Sequence, residues 1–159
     1  MDKQKRAEII SIGTEILMGE ITDTNAGYIA SQLPLLGFSV QQVTTAGDNE
    51  EQLCQVLRQA VERSTLVITS GGLGPTEDDL TRECIAATLG EEPAIDAELE
   101  EQLRARFGRM GKDMPPHNLK QAWLIPSAKG LPNPRGTAPG WWVEKDGTTI
   151  VAMPGPPRE

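Results

Sequence analysis

Apolar positions fall into short runs and longer periodic stretches that alternate along the chain. Ala7–Ile12 reads AEIISI, with charge before it and Gly13 after it, the pattern of a buried strand. A loop is expected over Thr14–Asp23. Ala26, Ile29, Ala30 and Leu33 then recur at helical spacing, which predicts a helix over Thr24–Leu36, capped by Asp23 or Thr24 and stopped by Gly37. Phe38–Thr45 alternates and predicts a second strand. Asp48 precedes Glu51 by three, a capping-box spacing, and Leu53, Val56, Leu57, Ala60 and Val61 form the apolar stripe of the next helix. Thr65–Ser70, TLVITS, is the most strand-like segment. Strand, helix, strand, helix, strand in that order implies an α/β fold of βαβ units, with a mostly parallel sheet and right-handed crossovers.

The second half is less regular. A Gly-rich loop over Gly71–Asp79 precedes a helix over Thr81–Leu89 that ends at Gly90. Asp96–Phe107 predicts a further helix, acidic at its start and basic toward Arg109, as the helix dipole favours, and reads as a solvated face. Met110–Pro116 is expected as loop, Asn118–Ala122 as a helical turn and Trp123–Ile125 as a strand. Trp141–Glu144 and Thr148–Met153 flank Asp146-Gly147, a strong hairpin signal. Trp141 and Trp142 fall on opposite faces of one strand, so one is expected in the core. Pro154–Glu159 resembles the opening turn of another helix. The expectation is a single domain over 1–159, cut from a longer protein.

The chain has 159 residues, enough for one core without disulfides or a structural metal. Its 23 acidic and 15 basic residues give a net charge of −8, a field that repels nucleic acid and anionic membranes. Backbone N–H groups bind phosphate whatever that field. Cys54 and Cys84 lie beside apolar neighbours in amphipathic segments and read as buried reduced thiols. No apolar run approaches membrane-spanning length, and MDKQKRAEII lacks a signal-peptide profile. A cytoplasmic protein is expected.

The densest chemistry lies in Ser70-Gly71-Gly72-Leu73-Gly74-Pro75-Thr76-Glu77-Asp78-Asp79-Leu80-Thr81. Its glycines let the backbone approach a ligand closely and aim several N–H groups at it. The helix start beyond adds donors and dipole for an anion, and Ser70, Thr76 and Thr81 add hydroxyls. The structural alternative is a tight turn. No Lys-Ser or Lys-Thr follows the glycines, so this is not a Walker loop, and their spacing is not the dinucleotide fingerprint. No basic residue lies between Thr65 and Leu80, so phosphate recognition is expected from the backbone. Asp78 and Asp79 are unfavourable beside a phosphate unless a cation or proton intervenes. Asp48 closes the second strand and Glu15 follows the first, so parallel strands bring all these acids toward one edge. Mg²⁺, Mn²⁺ or Co²⁺ would suit such ligands; helix capping is the alternative for Asp48, Asp78 and Asp79. Asn133–Gly140 is a second loop of similar character. Lys120 is a candidate cation for a phosphate, and His117, in a loop with no nucleophile arrangement, reads as surface.

In order along the chain, Ile12-Gly13-Thr14-Glu15-Ile16-Leu17-Met18-Gly19 with Thr24-Asn25, Thr45-Ala46-Gly47-Asp48-Asn49 and Gly71–Thr81 resemble signatures of the competence/damage-inducible protein A (CinA) amino-terminal domain. Asn118–Ala122, Gly136–Gly140 and Pro154–Pro157 continue the match. The resemblance implies a three-layer αβα domain of the MoaB/Mog-like molybdopterin-binding fold, and a homodimer. It implies a ligand site of Gly13, Thr14, Glu15, Asn25, Ser70, Gly71, Gly72, Leu73, Gly74, Thr76, Thr81, Lys120, Gly136, Thr137, Ala138 and Gly155. Asp48 and Asp79 match acids kept at the ligand site of Mog-like relatives, and are the expected catalytic pair. Asp23 stands where Asn is more usual, and Met153 where Leu is.

Two ligand classes follow. The first expectation is metal-dependent hydrolysis of ADP-ribose to AMP and ribose 5-phosphate, with Asp48, Asp78 and Asp79 on the cation, which offsets phosphoryl charge and activates water. The alternative is a molybdopterin-binding module without hydrolysis. A third reading is a regulatory domain with a vestigial pocket.

Overall fold

The computed structural model describes residues 5–159. β1 (Arg6–Ile12) is buried along nearly its whole length. A short helix, α1 (Thr14–Leu17), opens the expected loop, and residues 18–23 remain irregular. α2 (Thr24–Gln32) is capped by Asp23, whose carboxylate accepts from Ala26 N at 3.0 Å. The expected helix over Thr24–Leu36 is split, because Leu33–Leu36 is a 3₁₀ turn containing Pro34. Proline has no N–H to continue the α-helical ladder, and Gly37 closes the turn at φ 81°.

β2 (Ser39–Ala46), α3 (Glu50–Arg63), β3 (Leu66–Ser70) and α4 (Thr81–Leu89) follow as the periodicity predicts. Then come β4 (Ala94–Ile95), α5 (Ala97–Arg109), a 3₁₀ segment (Pro116–Ala122), β5 (Trp123–Leu124), β6 (Ala128–Leu131), β7 (Gly140–Lys145) and β8 (Thr148–Met153). β5 pairs only with β4, outside the main sheet. β7 and β8 form the expected hairpin: Asp146 at φ 50° and Gly147 at φ 80° supply the two positive φ values of its tight turn.

The main sheet has the order β2-β1-β3-β8-β7-β6. Its first four strands are parallel, and β7 runs antiparallel to both neighbours. The chain leaves β1 toward β2, then returns across β1 to β3, so a topological switch point lies between β1 and β3. Right-handed crossovers in opposite directions put the connecting helices on opposite faces. α2 packs Ala26 and the 3₁₀ turn packs Leu33 on Ala7, Ile9 and Ile68. Leu53 and Leu57 of α3, with Ile85 of α4, pack on Ile10, Val67, Trp141 and Ile150. The result is the expected three-layer αβα architecture.

Trp141 is the core tryptophan and donates from Nε1 to Trp123 O at 3.0 Å, while Trp142 is 38% exposed. Cys54 and Cys84 are buried free thiols on α3 and α4. Burial, with the neighbouring Cys54, pushes the Cys84 thiol far up. The buried Glu8 is matched by a two-pronged bond from Arg63, at 3.0 and 2.7 Å, and by Ser64 Oγ at 3.0 Å. Among the described residues, no helix is long and apolar enough to cross a membrane.

Candidate functional site

The parallel strands end side by side at Ala46, Ile12, Ser70 and Met153. The loops leaving them are laced together by backbone bonds: Gly13 N donates to Ala46 O, and Gly71 N to Met153 O, both at 3.0 Å. The β1 and β3 loops pass so closely that a Cβ on Gly71 would lie 2.2 Å from Ile12 O, and Gly71 has φ +107°. Asn25, on α2, bridges the next gap. Its Nδ2 donates to Ser70 Oγ at 3.0 Å and to Gly155 O at 2.8 Å. The first, third and last signature motifs therefore meet at the switch point.

Asp48 does not cap α3. That role belongs to Asn49, whose side chain accepts from Gln52 N at 2.9 Å. Asp48 Oδ2 instead accepts from Thr14 N at 3.2 Å and Thr14 Oγ1 at 2.7 Å, tying the β1 loop to the β2 loop. Asp79 makes the same contact within the Gly-rich loop, accepting from Thr76 N at 2.9 Å and Thr76 Oγ1 at 2.7 Å. Neither Asp78 nor Asp79 caps α4, whose N-cap is Leu80 without a side-chain cap bond. Asp78 is exposed, and Glu15 is exposed with its carboxylate lying against Gly13.

Several expected ligand groups face the protein instead. Leu73 is a core side chain, 2% exposed, so only its backbone is available. Thr81 is fully buried and donates from Oγ1 to Gly71 O at 2.8 Å. Lys120, expected as a cation for phosphate, binds the carbonyls of Thr76, at 2.9 Å, and Asp79, and pairs with Glu83 at 2.7 Å. Its ammonium is engaged by the loop it was expected to assist.

The second Gly-rich loop is divided: Asn133 and Gly140 line a cavity of about 300 Å³ with Asn25, Ser70 and Pro154, while its middle turns away. Asn133 Oδ1 accepts from Arg135 N and Gly136 N, at 3.1 and 3.0 Å, making a local turn. Gly136 and Thr137 line a separate cleft of about 650 Å³ against α5, beside Arg106 and Arg109. Ala138 packs into the core.

Sequence reasoning missed Arg82. It is fully buried under the Gly-rich loop and donates to Leu73 O at 2.7 Å and Gly74 O at 3.3 Å. Burial lowers its pKa to about 10, partly offset by Glu83 and Asp79, so it stays charged at neutral pH.

Among the described residues, no three of His, Cys, Asp and Glu gather in a group able to hold a metal ion. Asp48 and Asp79 each have one oxygen occupied by a threonine. The side chains as arranged form no ready-made divalent-ion site among the described residues.

A family described as probable molybdopterin binding domain matches residues 8–159. The fold superposes on the protein CinA of Thermoplasma acidophilum with TM-score 0.90 and 37% identity, over 99% of this chain and 92% of that one. The chain belongs to the CinA family. A CinA-like protein of Deinococcus deserti is 54% identical over 154 residues, covering 96% of this chain but 38% of that protein's length. The molybdopterin biosynthesis enzyme MoaB of Thermus thermophilus superposes with TM-score 0.63 at 22% identity, over 98% of this chain and 84% of its own, a likeness of fold alone.

Proposed function

We propose that this CinA-family domain is a molybdopterin-binding module that holds the ligand's terminal phosphate at the switch point between β1 and β3. The observation that carries the reading is the family match over residues 8–159, described as a probable molybdopterin binding domain. The chemistry supports it. Among the described residues, the N–H groups of Gly72, Leu73 and Gly74 have no acceptor, and successive free N–H groups in a loop favour an anion. Small-molecule sites in open α/β sheets lie at such switch points.

Hydrolysis of ADP-ribose to AMP and ribose 5-phosphate is the second reading. It is favoured by one observation: among the described residues, Asp48 and Asp79 each keep one carboxylate oxygen without a protein donor. An added divalent ion would then have to recruit both acids and rearrange their threonine contacts. Calorimetric titration with molybdopterin and with ADP-ribose, beside an assay of AMP release over a series of divalent metals, separates the readings. Tight molybdopterin binding with no AMP release is expected. AMP release at a catalytic rate, lost in Asp79→Asn, would replace the first reading with the second. The homodimer and the cytoplasmic location expected from sequence belong to the same proposal, and light scattering on the purified chain checks the former.

A further inference from the structure

The carbonyls of Gly71, Gly72, Leu73 and Gly74 are all engaged, and so is that of Thr76. Gly71 O accepts from Thr81 Oγ1 at 2.8 Å and Gly72 O from Thr81 N at 3.3 Å. Leu73 O and Gly74 O accept from the Arg82 guanidinium at 2.7 and 3.3 Å, and Thr76 O accepts from Lys120 at 2.9 Å. A trans peptide is planar, with its N–H antiparallel to its C=O. Three successive peptides that turn their carbonyls toward Thr81 and Arg82 must turn the N–H groups of Gly72, Leu73 and Gly74 away from them. Among the described residues those three N–H groups have no acceptor. Successive N–H groups aimed one way form an anion-binding concavity.

Arg82 stands behind that concavity with its charge only partly offset, by Glu83 and Asp79 beyond ion-pair distance. It is fully buried, its Nε has no partner, and among the described residues no carboxylate lies within ion-pair distance of it. A buried guanidinium whose hydrogen bonds all go to carbonyls, with its acids only at a distance, is further favoured by an anion that comes to balance it. We propose that Arg82 is a positioning residue for phosphate: its fork fixes the Leu73 and Gly74 carbonyls, and so aims the Gly74 N–H, while its charge favours a phosphate anion on the far side of the loop. This rests on the reading of the loop as the phosphate site. It changes where the positive charge comes from: the cation acts through the backbone and does not touch the ligand. Arg suits the task because its planar fork spans two acceptors, where Lys supplies one compact charge.

The test uses ¹⁵N-labelled chain titrated with inorganic pyrophosphate as probe, in the parent, Arg82→Met and Arg82→Lys. In the parent, pyrophosphate is expected to shift the Gly72, Leu73 and Gly74 amides. Arg82→Met should weaken pyrophosphate binding by about tenfold or more, the effect of losing one charge-assisted interaction. Its Gly74 amide should move, and exchange faster with solvent, before any ligand is added. Arg82→Lys should recover part of the affinity and part of the Gly74 position, a rescue that bulk packing alone would not give. Should Arg82→Met fail to fold, Arg82→Lys decides. A folded variant that binds pyrophosphate within about twofold of the parent, with Gly74 unmoved, overturns the role of Arg82. A parent whose three amides ignore pyrophosphate overturns the phosphate site itself, a different outcome.

Discussion

Replacing Lys120 by Met should destabilise the domain more than it weakens phosphate binding. The Lys120 side chain is 11% exposed and its ammonium is held by Glu83 and by the carbonyls of Thr76 and Asp79. Met keeps most of the stem but none of the donors. Hydrogen bonds to a charged group contribute about 1.5–3 kcal/mol each at most, and these three share one ammonium. Glu83, 27% exposed, would also lose its counter-charge. Partial exposure of Glu83 lets water recover some of that loss. A net destabilisation of about 2–3 kcal/mol follows. For a domain of this size that lowers the unfolding midpoint by roughly 4–12 °C. Scanning calorimetry reads the midpoint, and isothermal titration with pyrophosphate reads the site. Affinity should fall only a few-fold, through a looser Thr76 turn. An unchanged midpoint with binding abolished would refute the reasoning, because Lys120 would then contact the phosphate and not the loop.

Further outcomes follow from other contacts. Gly71→Ala should cost about 2–4 kcal/mol in chemical denaturation, because its Cβ would meet Ile12 O at 2.2 Å. Gly19→Ala, also at positive φ but with nothing within 4 Å, should cost about 1 kcal/mol. Thr14→Val removes the hydroxyl that donates to Asp48 Oδ2 and accepts from Asp48 N, and should cost about 1 kcal/mol, with Thr14→Ser near the parent in the same assay. Burial raises the Glu91 pKa, but Lys145 and the N–H and hydroxyl of Ser127 outweigh it and leave the carboxyl below its ordinary value. Its stabilising contribution is therefore complete above the unfolded-state pKa and is lost as pH falls through the depressed folded value. Glu91→Gln should flatten the acid limb of a stability–pH curve, and an unaltered limb would contradict this.

The sheet was legible because β1 and β3 are buried runs ended by glycine, β2 alternates, and α3 carries a clean apolar stripe. Pro34 was visible, yet its effect depended on whether the turn could tighten locally to 3₁₀, which periodicity does not report. β4 and β6 were missed because two to four residues carry too little alternation, and Gly130 interrupts β6. β5 was expected, but its pairing with β4 alone was not. The site was legible as a set of motifs but not as a set of directions. Asp48 sits at capping-box spacing, and only the arrival of Thr14 from the neighbouring strand shows which bond it makes. Lys120 and Arg82 lie far from and just beyond the Gly-rich loop in sequence, and both turn out to hold its carbonyls. Whether a charge faces ligand or backbone is decided by tertiary packing, which no spacing rule encodes.

That the Gly71–Thr76 backbone holds the phosphate of molybdopterin is tested most directly by a crystal structure of the domain soaked with that ligand. The terminal phosphate should lie within about 3 Å of the Gly72, Leu73 and Gly74 nitrogens, the ordinary length of such bonds, with Arg82 still behind the loop on the Leu73 and Gly74 carbonyls. A phosphate seated in the cleft between α5 and Gly136–Thr137, against Arg106 and Arg109, would contradict the account.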